Sequence, residues 1–293
     1  MMRLEAACDV DRIDGPGPAS HDELVRHVAG KDAMLSMVTD SVDRAVIEAG
    51  GQLRVIANVA VGYNNVDIAA ARERGIIVTN TPDVLTDATA DLTLALILAV
   101  TRRLGEGERM VRRGAWRGWA FDQLLGMQLR GRQLGIVGFG RIGKAVAARA
   151  AAFGMTIAHT SRATDGMPLD RLLSTSDVVS LHVPLTPETR HLIAQPELAR
   201  MKRSAYLINT TRGPVVDEAA LVWALKSRLI SGAALDVYER EPEVHPDLLA
   251  FENVVLAPHL GSATTETRTA MADLAASNAL AVLEGKPPLT PVR

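Results

Sequence analysis

The sequence predicts an α/β protein made of two doubly wound parallel-sheet domains. Short apolar runs bounded by turn residues alternate along the chain with stretches of helical pattern, which is typical of parallel strands joined by helical crossovers. The alternation occurs in two blocks, and a long apolar helix followed by a polar and aromatic connector separates them. A length of 293 residues also fits two domains.

The first block contains three predicted strands with helices between them. The strands are the runs DAMLSMVT, LRVIANVAV and GIIVTNTP, and the helices are SVDRAVIEAG and NVDIAAARERG. A long helix of Ala, Leu and Ile follows over about residues 87–108, and its apolar faces predict burial between domains or subunits.

The second block, from residue 133 to about residue 262, contains six predicted strands. They are the runs LGIVG, MTIAHT, DVVSLHV, AYLINTT, GAALDV and VVLAP. A final helix over about residues 264–284 is expected to return to the first domain, which makes that domain discontinuous.

Composition excludes several classes of function. The net charge of −2 gives no reason to expect nucleic acid or an anionic membrane as a partner. The single cysteine, Cys8, excludes an internal disulfide framework and fits a reducing compartment, so we expect a cytoplasmic protein without a signal peptide. The apolar run 92–100 is too short to cross a bilayer, which takes about 20 residues. The CxxC and HExxH motifs are absent, so we expect no metal site.

The segment QLGIVGFGRIGKAVAARAAAFGMTIAHTSR, residues 133–162, predicts a dinucleotide site. It has the order strand, glycine turn, helix, strand, and its three glycines have the G-x-G-x-x-G spacing. The first glycine permits a tight turn, the second lets the backbone approach a pyrophosphate, and the third lets the helix pack close to the strand. The helix directs free N–H groups and its positive dipole end at the phosphates. The residues predicted to bind there are Gly138, Gly140, Arg141, Ile142 and Gly143.

The end of the second strand of this unit bears on the choice between NAD and NADP. NAD-binding folds usually place Asp or Glu there to hold the ribose 2′-OH, whereas this chain has Ser161 followed by Arg162. No carboxylate repels a 2′-phosphate, and a guanidinium is available to pair with one. We therefore expect NADP(H), and NAD(H) is the alternative if Arg162 is an ordinary solvated arginine.

Three charged side chains follow predicted strands. Arg212 follows YLINTT, Glu241 follows ALDVYER and His259 follows VVLAP. Because ligands of open α/β sheets bind outside the carboxyl ends of the strands, these side chains are expected to converge. Arg212 can hold a carboxylate and polarise a carbonyl, His259 can protonate a developing alkoxide, and Glu241 can fix the imidazole tautomer. Each residue alone has an ordinary structural explanation, but the set predicts hydride transfer to a 2-oxo acid.

These residues and their neighbours carry a resemblance to a known family. The segments GFGRIG, HVPLTPETRHLI, INTTRGPVVDEAAL, GAALDVYEREP and NVVLAPHLGSAT resemble those of the D-isomer-specific 2-hydroxyacid dehydrogenases. The first-domain segment VIANVAVGYNNVDIAAARERGIIVTNTPDVLTDATADLTLALILA is similar to the glyoxylate/hydroxypyruvate reductase branch. The resemblance implies a Rossmann nucleotide domain of residues 89–264 and a flavodoxin-like substrate domain of residues 1–88 and 265–293. It also implies a homodimer formed through residues 87–125.

The resemblance further implies roles for single residues. The family's substrate arginine, acidic partner and acid/base histidine fall on the three residues named above, and the serine–arginine pair resembles the NADP-preferring members. Backbone N–H groups of Val61 and Gly62 would bind the substrate carboxylate. A tryptophan from the partner subunit would reach the site; Trp119 is the candidate and Trp116 the alternative, and interface packing is the ordinary explanation of both. Further cofactor contacts are implied at Pro184, Thr189, Thr210, Asp236, His259 and Gly261.

Two segments are shorter than the family pattern. The chain starts almost inside the region that follows the family's first strand and helix, so we expect the first domain to lack an edge strand and its crossover helix. The connection from Arg162 to Leu172 has no room for the usual helix and strand beside the adenosine pocket. A natural trimmed variant, an incorrect start site and a decayed paralogue are the alternative explanations.

The predicted function is NADPH-dependent reduction of glyoxylate or hydroxypyruvate to the D-2-hydroxy acid. Within the family, phosphoglycerate, D-lactate and formate are alternative substrates. A nucleotide-sensing binding protein, which would bind NADP(H) and a protein partner with little turnover, is an alternative of a different class. The complete set of arginine, glutamate and histidine disfavours it.

Overall fold

The chain forms two compact units in a computed structural model that describes residues 2–15, 17–162 and 165–292. Unit 1 comprises Met1–Leu85 and Thr264–Arg293, and unit 2 comprises Thr86–Ala263. The boundaries expected from the sequence, after residues 88 and 264, lie within three residues of these divisions.

Strands and helices alternate through both units. In chain order the described elements are α1 (Met2–Glu5), α2 (His21–Val28), β1 (Ala33–Ser36), α3 (Arg44–Ala49), β2 (Val55–Asn58), α4 (Ile68–Glu73), β3 (Ile77–Thr79), α5 (Thr86–Thr101), α6 (Leu104–Arg112), β4 (Gln133–Val137), α7 (Arg141–Ala152), β5 (Thr156–Thr160), α8 (Leu169–Thr175), β6 (Val178–Leu181), α9 (Gln195–Arg200), β7 (Tyr206–Asn209), a 3₁₀ turn (Gly213–Val215), α10 (Glu218–Lys226), β8 (Gly232–Leu235), α11 (Pro246–Ala250), β9 (Val254–Leu256) and α12 (Thr265–Leu283).

Unit 1 is a parallel sheet of order β1-β2-β3 with helices on both faces. One core contains side chains of α2, α3 and α4, and a second core lies between the sheet and α12. In the second core Ala275 and Ala279 of α12 pack with Val55 and Ala57 of β2. The last helix therefore belongs to unit 1. Among the described residues β1 has a neighbouring strand on one side only.

The C-terminal segment of unit 1 is held by the buried Asn278. Its Oδ1 accepts the N–H groups of Leu289 and Thr290 at 2.9 and 3.0 Å, and its Nδ2 donates to the Thr290 hydroxyl at 2.8 Å. The Thr290 hydroxyl in turn donates to the carbonyl of Asn80, just after β3. These contacts connect the end of the chain to the first block of strands.

Unit 2 is a parallel sheet of order β5-β4-β6-β7-β8-β9 with a hydrophobic core on each face. The strands are fully buried on both faces in β6 and β8, which explains their continuous apolar runs. Because all six strands are parallel, their carboxyl ends lie at one edge of the sheet, and the loops that follow them are neighbours there.

The prediction of a single long helix over residues 87–108 was wrong. The structure has two helices, α5 and α6, separated at Arg103, whose φ of +54° is left-handed. Helix α5 places Ala90 and Ile97 in the core of unit 2 itself. Helix α6 has no buried side chain, and it contains two glycines, which are poor helix formers. Neither core packing nor helix propensity therefore favours a continuous helix through Arg103.

The connection between β5 and α8 is short, as the sequence indicates, and its described residues contain no strand. Ala163 and Thr164 lie outside the described residues. After them the chain turns back along β5: the Met167 N–H donates to the His159 carbonyl at 2.8 Å. No helix in the described part of the chain is long and apolar enough to cross a membrane.

Candidate active site

The glycine turn after β4 has the geometry that a dinucleotide pyrophosphate requires. Gly138 has a φ of +97°, and a Cβ there would lie within 3 Å of the His182 carbonyl. A Cβ at Gly143 would lie within 3 Å of the Gly138 carbonyl, so glycine is needed for α7 to pack on the turn. At Gly140 no heavy atom lies within 4 Å of a Cβ position, which leaves the backbone open to an approaching phosphate. Arg141 and Ile142 then begin a 12-residue helix whose N–H groups suit that phosphate.

Arg162, the residue expected to contact a 2′-phosphate, is exposed at the end of β5, and Ser161 is half-buried. The guanidinium lies near the exposed carboxylate of Glu188. A hydrogen bond from the Thr186 hydroxyl is the main cause that lowers the pKa of Glu188, and the charge of Arg162 adds to it. The sequence analysis did not foresee this carboxylate.

The loops after β7, β8 and β9 bring Glu241 and His259 into direct contact, with Arg212 nearby. The Glu241 Oε2 lies 2.8 Å from the His259 Nδ1, and both side chains are 30% exposed. The other Glu241 oxygen accepts the N–H of Tyr238 at 3.1 Å. With Nδ1 facing the carboxylate, the His259 Nε2 is the nitrogen left to exchange a proton with a ligand.

The charges of the three groups are coupled. Burial alone would raise the pKa of Glu241, but the hydrogen bond and charge of His259, the Tyr238 N–H and the charge of Arg212 lower it overall. Burial lowers the pKa of Arg212, and the charge of Glu241 opposes that effect. Because the guanidinium pKa starts so high, Arg212 remains cationic at neutral pH.

Asp236 fixes the loop that carries His259. It is 1% exposed, and its carboxylate accepts the N–H groups of Leu260 at 2.6 Å and Gly261 at 2.8 Å. Its main-chain carbonyl accepts the N–H of His259, whose φ of +54° is left-handed. Burial is the largest influence on Asp236 and raises its pKa. A costly buried carboxylate thus holds a strained backbone in place.

The remaining cofactor-binding candidates of unit 2 also follow its strands. The Thr189 hydroxyl donates to the Pro184 carbonyl at 2.6 Å and so closes the turn after β6. The Thr210 hydroxyl pairs with that of Thr93 at 3.1 Å, and the Gly261 carbonyl accepts the hydroxyl of Thr89. These hydrogen bonds stabilise the loops that follow the strands.

Val61 and Gly62 follow β2 of unit 1. The side-chain amide of Asn80 donates to the Val61 carbonyl at 2.8 Å, and that of Asn58 donates to the Gly62 carbonyl at 2.9 Å. Neither Val61 N–H nor Gly62 N–H has a hydrogen-bond partner among the described residues. Both donors are therefore available to an anionic ligand.

Trp119 lies in the connector of unit 2 and is 82% exposed, while Trp116 is 53% exposed. Phe121 and Leu125 are also exposed in the same connector. Within this unit, neither tryptophan is a core residue.

The sequence analysis missed three side chains around the loop that carries Glu241: His191, Glu218 and Glu239. His191 Nε2 lies 2.6 Å from Glu239. The carboxylates of Glu218 and Glu239 each accept the main-chain N–H of the other residue. One signal was present in the sequence, since Glu239 belongs to the same YERE run as Glu241.

Comparison with known proteins identifies the family. The model described as "D-isomer specific 2-hydroxyacid dehydrogenase, NAD binding domain" matches residues 94–261. A glyoxylate reductase of Thermofilum pendens is 48% identical over 306 residues, covering 98% of this chain and 89% of that protein. The TT0316 protein of Thermus thermophilus is 47% identical with a TM-score of 0.92, and the match covers 100% of this chain and 96% of that one. An NADPH-dependent glyoxylate/hydroxypyruvate reductase of Sinorhizobium meliloti, solved with NADP and malonate, is 37% identical with a TM-score of 0.88 and coverages of 99% and 92%.

The two parallel-sheet units and the glycine turn define a nucleotide-dependent oxidoreductase. The chain belongs to the D-isomer specific 2-hydroxyacid dehydrogenase family. It is thus an NAD(P)-dependent D-2-hydroxyacid dehydrogenase with a pyridine nucleotide as its cofactor. The predicted fold class and the resemblance to the glyoxylate/hydroxypyruvate reductase branch are both confirmed.

We expect the Glu241→Gln variant to lose stability in a pH-dependent way. The folded-state pKa of Glu241 lies below its ordinary value of 4.5, so the ionised carboxylate stabilises the fold. This contribution is complete above pH 4.5 and is lost as the pH falls through the lower folded-state pKa. Urea unfolding of both proteins between about pH 3 and 7 measures the difference. The variant Glu243→Gln, in the same loop, controls for the charge change, and a pH-independent difference for Glu241→Gln would contradict the prediction.

Proposed function

We propose that this enzyme reduces glyoxylate or hydroxypyruvate to the D-2-hydroxy acid, with NADPH as the preferred cofactor. The contact between Glu241 and His259, with Arg212 nearby at the carboxyl edge of the nucleotide-binding unit, is the observation that carries the proposal. The names of the relatives support the substrate, since the Thermofilum pendens and Thermococcus litoralis proteins, each 48% identical, are both glyoxylate reductases.

In the proposed reaction Arg212 binds the substrate carboxylate and carbonyl oxygen, and its cation stabilises the negative charge that develops on that oxygen. The His259 Nε2 donates a proton to the same oxygen. Glu241 accepts the Nδ1–H of His259 and balances the charge of the protonated imidazole, which keeps the ring oriented. In unit 1, the N–H groups of Val61 and Gly62 are proposed to bind an anionic group of a ligand.

The cofactor would be held by the glycine turn from Gly138 to Gly143, with phosphate at the N-terminus of α7. When bound, it supplies the hydride that is added to the carbonyl carbon. Together with that hydride, the proton from His259 converts the 2-oxo group into a hydroxyl group.

The expected activity is loss of the 340 nm absorbance of NADPH on addition of glyoxylate or hydroxypyruvate. We expect His259→Asn to lower kcat by about 10²–10⁴-fold, because the proton donor is removed. A matched histidine, the exposed His21 of unit 1, should tolerate the same substitution. Wild-type protein that binds NADPH without turning over a panel of 2-oxo acids would overturn the proposal, as would a fully active His259→Asn variant.

The cofactor preference is proposed to depend on Arg162. Its exposed guanidinium can pair with a 2′-phosphate, so Arg162→Ala should lower kcat/KM for NADPH by about 10–100-fold and leave kcat/KM for NADH within about threefold. Arg171→Ala, an exposed arginine of α8, is the matched control. Glu188→Gln should raise the preference for NADPH, because a competing carboxylate is neutralised. Equal losses with both cofactors in Arg162→Ala would contradict the assignment.

We also propose a homodimer formed through residues 87–125, with Trp119 contributing to the partner's site. The exposed aromatic connector supports it, since Trp119 and Phe121 are 82% and 85% exposed and lie two residues apart. Sedimentation should give a dimer for the wild type and a larger monomer fraction for Phe121→Ser. The same substitution at the exposed Leu249 should leave the dimer intact. A monomeric wild-type enzyme would exclude this arrangement.

A further inference from the structure

The loop that carries Glu241 is tied to the start of helix α10 by two glutamates. The carboxylate of Glu218, the first residue of α10, accepts the N–H of Glu239 at 2.7 Å. The carboxylate of Glu239 accepts the N–H of Glu218 at 3.2 Å. Each side chain thus closes on the main chain of the other across 21 residues, and we name this arrangement the Glu218–Glu239 clamp.

The clamp lies against the backbone next to Arg212. A Cβ on Gly213 would lie within 3 Å of the carbonyl of Tyr238 and the N atom of Glu239, so the two main chains are in direct contact. Only Arg240 separates Glu239 from Glu241. The clamp therefore lies where the segment that carries Arg212 meets the segment that carries Glu241.

The clamp brings two carboxylates close together, and His191 contacts one of them. Burial raises the pKa of Glu218, and the charge of Glu239 raises it further, while the charge of His245 lowers it. The Nε2 of His191 lies 2.6 Å from Glu239 Oε1, so a proton on that nitrogen is donated to the carboxylate. His191 is itself fixed, because its N–H donates to the Pro214 carbonyl at 2.8 Å.

We propose that Glu239 is a positioning residue of the reaction. With Glu218 and His191 as partners, it holds the loop on which Glu241 contacts His259. In this proposal Glu239 has no contact with the substrate and acts through Glu241. The proposal rests on the roles proposed above for Arg212, Glu241 and His259. Loss of the clamp would free the loop to move, which weakens the contact of Glu241 with the imidazole.

The test compares Glu239→Ala with Glu239→Gln. The alanine variant loses both side-chain contacts and should show kcat reduced about 10–100-fold, with KM for the 2-oxo acid changed less than about threefold. The pH at which kcat falls to half its maximum should move lower by about half a unit to one unit, because a more distant Glu241 favours the protonated imidazole less. Glutamine keeps an oxygen for the Glu218 N–H and should restore most of kcat and the pH profile.

Three further variants make the result decisive. Glu243→Ala removes an exposed carboxylate of the same loop and should leave kcat and the pH profile unchanged. His191→Gln, which keeps a donor beside Glu239, should shift the profile less than Glu239→Ala does, and it provides a second reading if the alanine variant does not fold. His259→Asn, measured in parallel, tests the proposed proton donor itself.

An inactive His259→Asn together with a Glu239→Ala enzyme whose kcat and pH profile match the wild type would overturn the positioning role alone. A Glu239→Ala loss that glutamine does not restore would overturn it as well. An active His259→Asn would overturn the proposed proton donor and, with it, this inference.

Discussion

The geometry of the proposed active site depends on the buried carboxylate of Asp236. Its two oxygens accept the consecutive N–H groups of Leu260 and Gly261, while its carbonyl accepts the N–H of His259. A left-handed residue other than glycine costs about 1–2 kcal/mol, and these three hydrogen bonds supply the restraint that keeps His259 in that conformation. Without Asp236 the main chain of residues 259–261 would lose these three restraints.

Two levels of structure cooperate at this edge of the sheet. The parallel order of the strands brings Arg212, Glu241 and His259 into one neighbourhood, because each follows the carboxyl end of a different strand. Neighbourhood alone does not orient a side chain. Orientation comes from side-chain to main-chain hydrogen bonds between the loops, of which the Asp236 contacts and the Glu218–Glu239 clamp are the two main examples.

The sequence was sufficient for the strands and for the convergence of Arg212, Glu241 and His259 after them. Apolar runs between turn residues predicted all nine strands of the described residues, since buried parallel strands leave a continuous pattern. It was insufficient where the structure depends on contacts between distant segments. The helix breaks at Arg103 because packing against the core of unit 2 ends there. Glu188 is near Arg162 because the loops after two different strands, β6 and β5, meet.

The Glu218–Glu239 clamp is a further contact between distant segments that the sequence does not indicate. From the sequence alone, a glutamate in a polar loop such as Glu239 is predicted to be solvated. Nothing in its neighbours indicates a main-chain partner 21 residues away. His191 is similarly unmarked, since its left-handed conformation and its contact with Glu239 arise only when the loops after β6 and β8 meet.

The discontinuous order of the chain has a consequence for synthesis on the ribosome. All of unit 2 is translated before α12, so its sheet can close while unit 1 still lacks Ala275 and Ala279, the side chains that cover one face of β2. The apolar Val55 and Ala57 emerge early and stay uncovered on that face until about 200 further residues have been added. During that interval the nascent first sheet exposes an apolar face that α12 covers in the finished protein.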